Sequence, residues 1–162
     1  LIHTGVAADD MPGTLMSDYS GVTASYTAGG TVDDIAQLFD GNLENGTALR
    51  TDEQDGKGTT LVFDLGTEQK VIGLRMARYY KSYYGGWWYD EYYFSHLDMQ
   101  YSADGSTWND MGSADEADMV KSDGYQYLAL YGAVPMRYLK IQFKSGSSSV
   151  SSLAELGIYT QQ

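Results

Sequence analysis

The chain has 162 residues, no cysteine and a formal net charge of −12 at neutral pH. This length fits one domain with a core of its own, and the absence of cysteine excludes disulfides and thiolate metal sites. With 10 Lys and Arg against 22 Asp and Glu, the chain lacks the excess of positive charge through which proteins bind nucleic acid or anionic lipid head groups.

Short apolar segments with turn signals between them predict an all-β fold. The chain holds 19 Gly and 15 Tyr but only 2 Pro. Aromatic and β-branched residues favour strands, while Gly favours the turns between them. One helical turn is predicted at 33–39, where Asp33 supplies the cap. The predicted strands cover residues 22–26, 59–66, 71–78, 97–102, 125–130, 136–143 and 153–159, and no long amphipathic helix is visible.

The most unusual segment is 79–94, where ten of sixteen residues are aromatic and two of the three Trp of the chain occur. Aromatic rings stack on the C–H faces of sugars, and Gly85-Gly86 would let the chain turn sharply between them. Two other interpretations stay open at this point. The rings could fill the core and cover the sheet, or they could form a protein–protein interface, where Tyr and Trp dominate binding.

Five short motifs occur in a fixed order along the chain. They are LFDGN at 38–42, VFDLG at 62–66, YSADGSTW at 101–108, RYLKI at 137–141 and AELGIY at 154–159. With these motifs the sequence resembles the coagulation factor 5/8 type C (discoidin-like) family over about residues 22–159. The resemblance implies a single domain over 1–162 with a galactose-binding-domain-like fold, a jelly-roll β-sandwich of about eight antiparallel core strands.

The resemblance also implies a structural calcium site. Members of the family carry Asp-Gly-Asp/Asn, then Thr and Trp, and a Glu on the last strand. Here Asp40-Gly41-Asn42 and Glu155 match, whereas Leu49 replaces the Trp and a two-residue insertion shifts the Thr to Thr47. The implied ligands are the side chains of Asp40, Thr47 and Glu155 and the carbonyls of Leu38, Asn42 and Ala154. Without the resemblance, the same residues read as a plain turn and a solvated strand residue.

The resemblance further places a ligand site on the aromatic segment. In sugar-binding members the loop between these two strands contributes to the site, and Arg78 falls near the position of a ligand-contacting Arg. Polar groups beside the rings select sugar hydroxyls through hydrogen bonds. The candidate ligand-binding residues are Arg78, Tyr83, Tyr84, Trp87, Trp88 and Asp90.

These features together predict a non-catalytic carbohydrate-binding module. Only His3 and His96 are present, and no motif of a hydrolase or a phosphate-binding loop is visible. We expect a glycan as partner, with no nucleic acid and no membrane lipid, and a monomeric module within a larger glycoside hydrolase or glycan-binding protein. The expected location is extracellular, periplasmic or at the cell surface. The alternative is a cell-surface adhesion or protein-interaction domain of the same fold.

Overall fold

A computed structural model describes residues 1–28, 35–43, 49–52, 59–77, 81–84, 87–90, 94–145 and 150–162. Within these ranges the regular structure consists of β-strands and three short 3-10 helices, so the all-β prediction is confirmed. No helix in the same ranges is both long enough and apolar enough to cross a membrane.

The strands, in chain order, are β1 (Ile2–His3), β2 (Thr14–Leu15), β3 (Thr23–Ala28), β4 (Leu49–Asp52), β5 (Thr59–Ala77), β6 (Lys81–Tyr84), β7 (Trp87–Asp90), β8 (Phe94–Ser102), β9 (Asn109–Asp115), β10 (Val120–Ser122), β11 (Tyr125–Ser145), β12 (Val150–Leu153) and β13 (Glu155–Thr160). The 3-10 helices are Ala8–Asp10, Ile35–Phe39 and Glu116–Asp118. The second of these helices confirms the helical turn predicted at 33–39, and its predicted cap, Asp33, lies outside the described residues.

Two long strands, β5 and β11, run through both layers of the sandwich. The first part of β5 pairs with β3 and with the last part of β11, which in turn pairs with β8. The second part of β5 pairs with β13 and with the first part of β11. Register shifts in β11 fall between Ala129 and Val134 and between Met136 and Tyr138, and such irregularities bend a strand. The strand can therefore leave one layer and enter the other.

The core lies between the two layers and is built from alternate residues of the long strands. Leu61 and Phe63 on β5 pair with Ile141 and Leu139 on β11, and all four side chains are fully buried. Burial of an aliphatic or aromatic side chain of this size contributes about 1.5–3 kcal/mol. Phe143 continues the same row of buried positions on β11. The period-two pattern in the sequence therefore corresponds to a real inner face.

The first and last strands, β1 and β13, belong to the same layer, and one row of paired residues connects them. His3 on β1 pairs with Ala129, which pairs with Gly73, and Gly73 pairs with Tyr159 on β13. The row thus crosses four strands, in the order β1, β11, β5, β13. The other end of β13, at Glu155, pairs with Ala77 at the far end of β5.

Gly66 lies within β5, although the sequence predicts that a strand ends there. Its φ of +84° is in the left-handed region, which side chains other than Gly seldom adopt. A Cβ atom at this position would also lie 2.7 Å from the carbonyl oxygen of Gly21. Gly66, which the sequence suggested as the end of a strand, is therefore a local distortion within a continuous strand. The predicted strands 59–66 and 71–78 belong to one strand, β5.

Replacing Gly66 with Ala is expected to lower the free energy of unfolding by about 1–3 kcal/mol, because the new methyl group adds backbone strain and a clash with fixed backbone. Urea unfolding measures this change. Gly132→Ala is the matched control, since nothing lies within 4 Å of a Cβ at Gly132 and its φ is not in the left-handed region. Equal stability of the two variants would contradict the prediction.

Candidate functional site

The loop after the second 3-10 helix meets the beginning of β13. Gly41 has a φ of +76°, which lets the chain reverse at a position that favours Gly. The backbone N–H of Asn42 donates to Asp40 Oδ1 at 2.8 Å, and the Asp40 carboxyl group lies in hydrogen-bonding contact with Glu155. Two predicted metal ligands that are 115 residues apart in the sequence are thus brought together.

Glu155 is a buried carboxyl group with unusual electrostatics. Its side chain is only 4% exposed, and Oε1 has no hydrogen-bond partner. Burial raises the pKa of Glu155, and the nearby carboxyl group of Asp40 raises it further, to about 8, while the backbone N–H groups of Gly41 and Asn42 act in the opposite direction. The cause is physical: two like charges that face each other away from water cannot both be maintained without compensation.

The donor atoms at this place fit a hard divalent cation. Calcium takes six to eight oxygen ligands from carboxylates and carbonyls, and Asp40 and Glu155 supply two carboxylates, one with an oxygen that has no partner. Within the described ranges no group of three or more His, Cys, Asp or Glu side chains is placed to hold a metal ion. Leu38 and Ala154, two of the predicted carbonyl donors, are fully buried. The predicted ligand Thr47 lies outside the described residues.

The aromatic segment contains a two-stranded ladder formed by β6 and β7. Tyr83 pairs with Trp88 and Tyr84 pairs with Trp87, and Lys81 pairs with Asp90 at the open end. Because successive strand positions alternate between faces, positions 83, 88 and 90 fall on one face of the ladder and positions 84 and 87 on the other. The predicted ligand-binding residues are therefore divided between two faces. Arg78, the sixth of them, lies outside the described residues.

Arg75 belongs to a cluster near Glu155 that the sequence analysis does not identify. Its guanidinium group lies 4.0 Å from the centre of the Tyr125 ring, and its Nε atom is buried without a hydrogen-bond partner. Arg75 and Glu155 both influence the pKa of Tyr19, whose hydroxyl accepts a hydrogen bond from the backbone N–H of Ile158. The alternation of β5 indicates that Arg75 points away from Leu74 and the core, but only the fold reveals its contact with Tyr125.

The two histidines have contacts that keep them in place. His96 lies between two carboxylates, with Nδ1 2.7 Å from Asp115 and Nε2 3.2 Å from Asp98. The hydrogen bond to Asp115 raises the pKa of His96, and the bond to Asp98 adds to this effect. His3 stacks on the ring of Tyr131 with the ring centres 4.7 Å apart. These contacts agree with the structural role expected for an isolated strand histidine.

Comparison with known proteins identifies the family. The sequence matches the F5/8 type C domain over residues 21–156, and the chain belongs to this family, as its motifs predict. Similar solved structures include the family 32 carbohydrate-binding module of Clostridium perfringens NanJ in complex with galactose, at 17% identity and a TM-score of 0.67, with 90% of this chain and 98% of that chain covered. The jelly-roll prediction is thereby confirmed. No curated protein matches the sequence.

Two further structures from Clostridium perfringens share the fold. The module CpGH89CBM32-5 in complex with GalNAc-β-1,3-galactose is 13% identical with a TM-score of 0.67, covering 90% of this chain and 99% of that chain. A family 89 glycoside hydrolase in complex with 2-acetamido-1,2-dideoxynojirmycin is 15% identical with a TM-score of 0.65, and the match covers 93% of this chain but 15% of that chain. At these identities the likeness concerns the fold.

Proposed function

We propose that this chain is a non-catalytic glycan-binding module. The observation that carries the proposal is the combination of family membership with similar structures that were solved with galactose or a GalNAc-containing disaccharide. The aromatic segment gives the proposal a chemical basis, since Tyr and Trp rings stack on sugar faces while adjacent polar groups select hydroxyls. The two acids of this segment, Asp90 and Glu91, are neighbours in the sequence, and neighbouring residues do not provide the two opposed carboxyl groups that hydrolysis uses.

The pairing of β6 with β7 divides the candidate residues between two faces of the ladder, so the proposed sugar-binding surface can be narrowed to one of them. Trp88 shares a face with Tyr83 and Asp90, whereas Trp87 shares the other face with Tyr84. The first set of register positions carries Lys, Tyr, Trp and Asp, residue types that can stack on sugar faces and hydrogen-bond to hydroxyl groups. We therefore favour the Tyr83–Trp88–Asp90 face as the sugar-binding surface.

Trp88→Ala is expected to weaken glycan binding by about tenfold or more, because stacking of one aromatic ring is lost, and Trp87→Ala is expected to have a smaller effect. A glycan array identifies the ligand, and titration calorimetry measures the affinities of both variants. Tyr131→Ala is the control, since Tyr131 is an aromatic residue that is 75% exposed outside the ladder. If the wild-type protein binds no glycan on the array, the adhesion or protein-interaction alternative takes the place of the proposal.

Calcium would have a structural role in this module. When bound between Asp40 and Glu155, it would supply positive charge to the two carboxylates and tie the loop at 40–42 to β13. The predicted ligands Leu38, Asn42, Thr47 and Ala154 would complete the oxygen shell. Calcium here would not contact the β6–β7 ladder through any of these residues, so we assign it no part in sugar recognition.

The same comparisons support a proposal about the larger protein. The match to the family 89 glycoside hydrolase covers only 15% of that chain, which is the proportion expected of an accessory domain in a multidomain enzyme. We propose that this domain likewise acts as a monomeric unit of a larger secreted or cell-surface protein and holds that protein near glycans. Sedimentation of the isolated domain as a monomer and detection of the parent protein outside the cytoplasm would test the two parts.

A further inference from the structure

A polar groove lies on the outer face of the layer formed by β5, β11, β8 and β9. Its volume is about 560 Å³, within the range of roughly 300–1,000 Å³ that is usual for small-molecule sites. Six side chains supply most of its polar groups. They are Asp98, Gln100, Asp110, Ser113, Lys140 and Gln142.

The strand register arranges these side chains in two parallel rows across the sheet. In the first row Thr60 pairs with Gln142, Gln142 with Asp98, and Asp98 with Ser113. In the second row Lys140 pairs with Gln100, and Gln100 with Asp110. Neighbouring strands are about 4.8 Å apart, so a row across four strands is roughly 14 Å long. The groove is therefore long enough for an extended ligand.

A bulge in β9 is needed to complete the groove. Asp110 and Ser113 are three residues apart, so a regular strand would place them on opposite faces. The register shift between Met99 and Gln100 inserts Met111 as an extra residue, and Met111 points into the core with 1% exposure. Bulges of this kind re-aim side chains. Both polar residues consequently face the groove.

The carboxylates of the groove are held in place by neighbouring groups. Ser113 Oγ donates to Asp98, whose carboxylate also lies 3.5 Å from Lys144 Nζ, and Gln100 Nε2 donates to Asp110 at 2.8 Å. Burial acts to raise the pKa of Asp98, but hydrogen bonds from Ser113 and His96 outweigh it and leave the pKa below its ordinary value. Asp98 is thus a fixed, ionised acceptor at neutral pH.

The single lysine that lines the groove is also oriented. Lys140 Nζ lies 3.9 Å from the centre of the Trp108 ring, a cation–π contact that limits the freedom of a long side chain. The groove therefore presents fixed acceptors beside a fixed donor. A preorganised set of this kind reduces the entropy that a ligand must overcome on binding.

We propose that this groove is a second carbohydrate-binding site, which takes a neutral oligosaccharide across strands β11, β8 and β9. Sugar hydroxyls would donate to Asp98 and Asp110 and accept from Lys140 and the carboxamides of the two rows. The ligand class is the one proposed for the β6–β7 ladder, but the two sites share no residue and can fail independently.

The composition of the groove favours this occupant over others. In the described lining Asp98 and Asp110 face Lys140, and Lys144 is already paired with Asp98, so the groove has no excess of positive charge to hold a phosphate or another anion. Protein interfaces are depleted in Asp, Ser and Lys at their centres and rely on aromatic anchors, whereas the lining of this groove, as far as the structure describes it, contains no aromatic side chain. A neutral molecule with many hydroxyl groups matches both the charge and the mixture of donors and acceptors.

The test uses an array of neutral oligosaccharides and four forms of the whole chain. These are the wild type, the groove variant Gln100→Ala/Asp110→Ala, the ladder variant Trp87→Ala/Trp88→Ala, and the two combined. We expect some glycans to bind the ladder variant as they bind the wild type and to bind the groove variant about tenfold more weakly or worse, since a charged hydrogen-bond partner is removed. Amide shifts of β8 and β9 in a titration with those glycans would locate the site.

Two further variants keep the result interpretable. Ser113→Trp fills the groove without removing Asp110 and should abolish the same binding, and Asp118→Asn, an exposed acid outside the groove, should leave it unchanged. Melting curves confirm that each variant is folded. The proposal is overturned if every glycan that binds the wild type binds both groove variants with equal affinity. It is also overturned if the ladder variant binds no glycan. If the ladder variant instead binds every glycan as tightly as the wild type does, the first proposed site is refuted.

Discussion

Replacing Phe143 with Ala is expected to lower the free energy of unfolding by about 3–5 kcal/mol, the usual cost of removing a buried aromatic ring. The ring is 1% exposed, and its centre lies 5.3 Å from that of Phe94 with the planes at 63°. Edge-to-face pairs of this kind contribute beyond the area they bury. Phe143 also belongs to β11 where that strand pairs with both β5 and β8, so a cavity there adjoins three strands.

This loss is a large share of the stability of a domain, which is about 5–15 kcal/mol. Urea unfolding followed by tryptophan fluorescence measures it. Gly132→Ala is the control on the same strand, because this position is exposed with nothing within 4 Å of a Cβ and an exposed substitution changes stability by about 0.5 kcal/mol or less. A Phe143→Ala variant as stable as the control would mean that the two layers do not pack as described.

Saturating calcium is expected to stabilise the wild-type domain, and Glu155→Gln is expected to remove this response. A ligand present at 100 times its dissociation constant adds about 2.7 kcal/mol to stability if it binds only the folded state. The carboxamide keeps the shape of the side chain but cannot supply the second negative charge. Thermal unfolding with calcium or with a chelator measures the difference for both proteins.

The same substitution separates loss of metal binding from loss of folding. Without calcium, Glu155→Gln should be at least as stable as the wild type at neutral pH, because a pKa of about 8 leaves Glu155 mostly protonated there and the carboxamide replaces this neutral form. Asp118→Asn removes an exposed acid elsewhere and should keep the full calcium response. A wild-type domain that melts at one temperature with calcium and with chelator would refute the calcium proposal.

Local patterns in the sequence were enough to predict the long strands but not their lengths, and strands such as β9 and β10 were not predicted. Alternation identified 97–102, which lies within β8. The predicted strands 125–130 and 136–143 are parts of one strand, β11, in which Pro135 pairs with Lys70. Bulges interrupt the period of two without ending the strand, so an interruption in the pattern resembles a turn. Only pairing with a partner strand distinguishes the two.

The candidate sites differ in how much of each could be predicted from the sequence. Asp40 and Glu155 come together through the fold, and the sequence indicated their proximity only through the family motifs. The groove could not be found from the sequence, because the spacing of Asp110 and Ser113 indicates opposite faces until the bulge at Met111 is known. Nothing in the sequence marks that bulge except Gly112, whose φ is +114°.

The row of paired residues that joins His3 to Tyr159 determines how the domain can be attached to other polypeptide. The row spans four strands, so the two chain ends leave the sandwich roughly 14 Å apart and on the same side. Glu155 and the end of β5 at Ala77 lie on the opposite side. Polypeptide joined to either terminus would therefore leave the domain on the side away from the contact between Glu155 and Asp40.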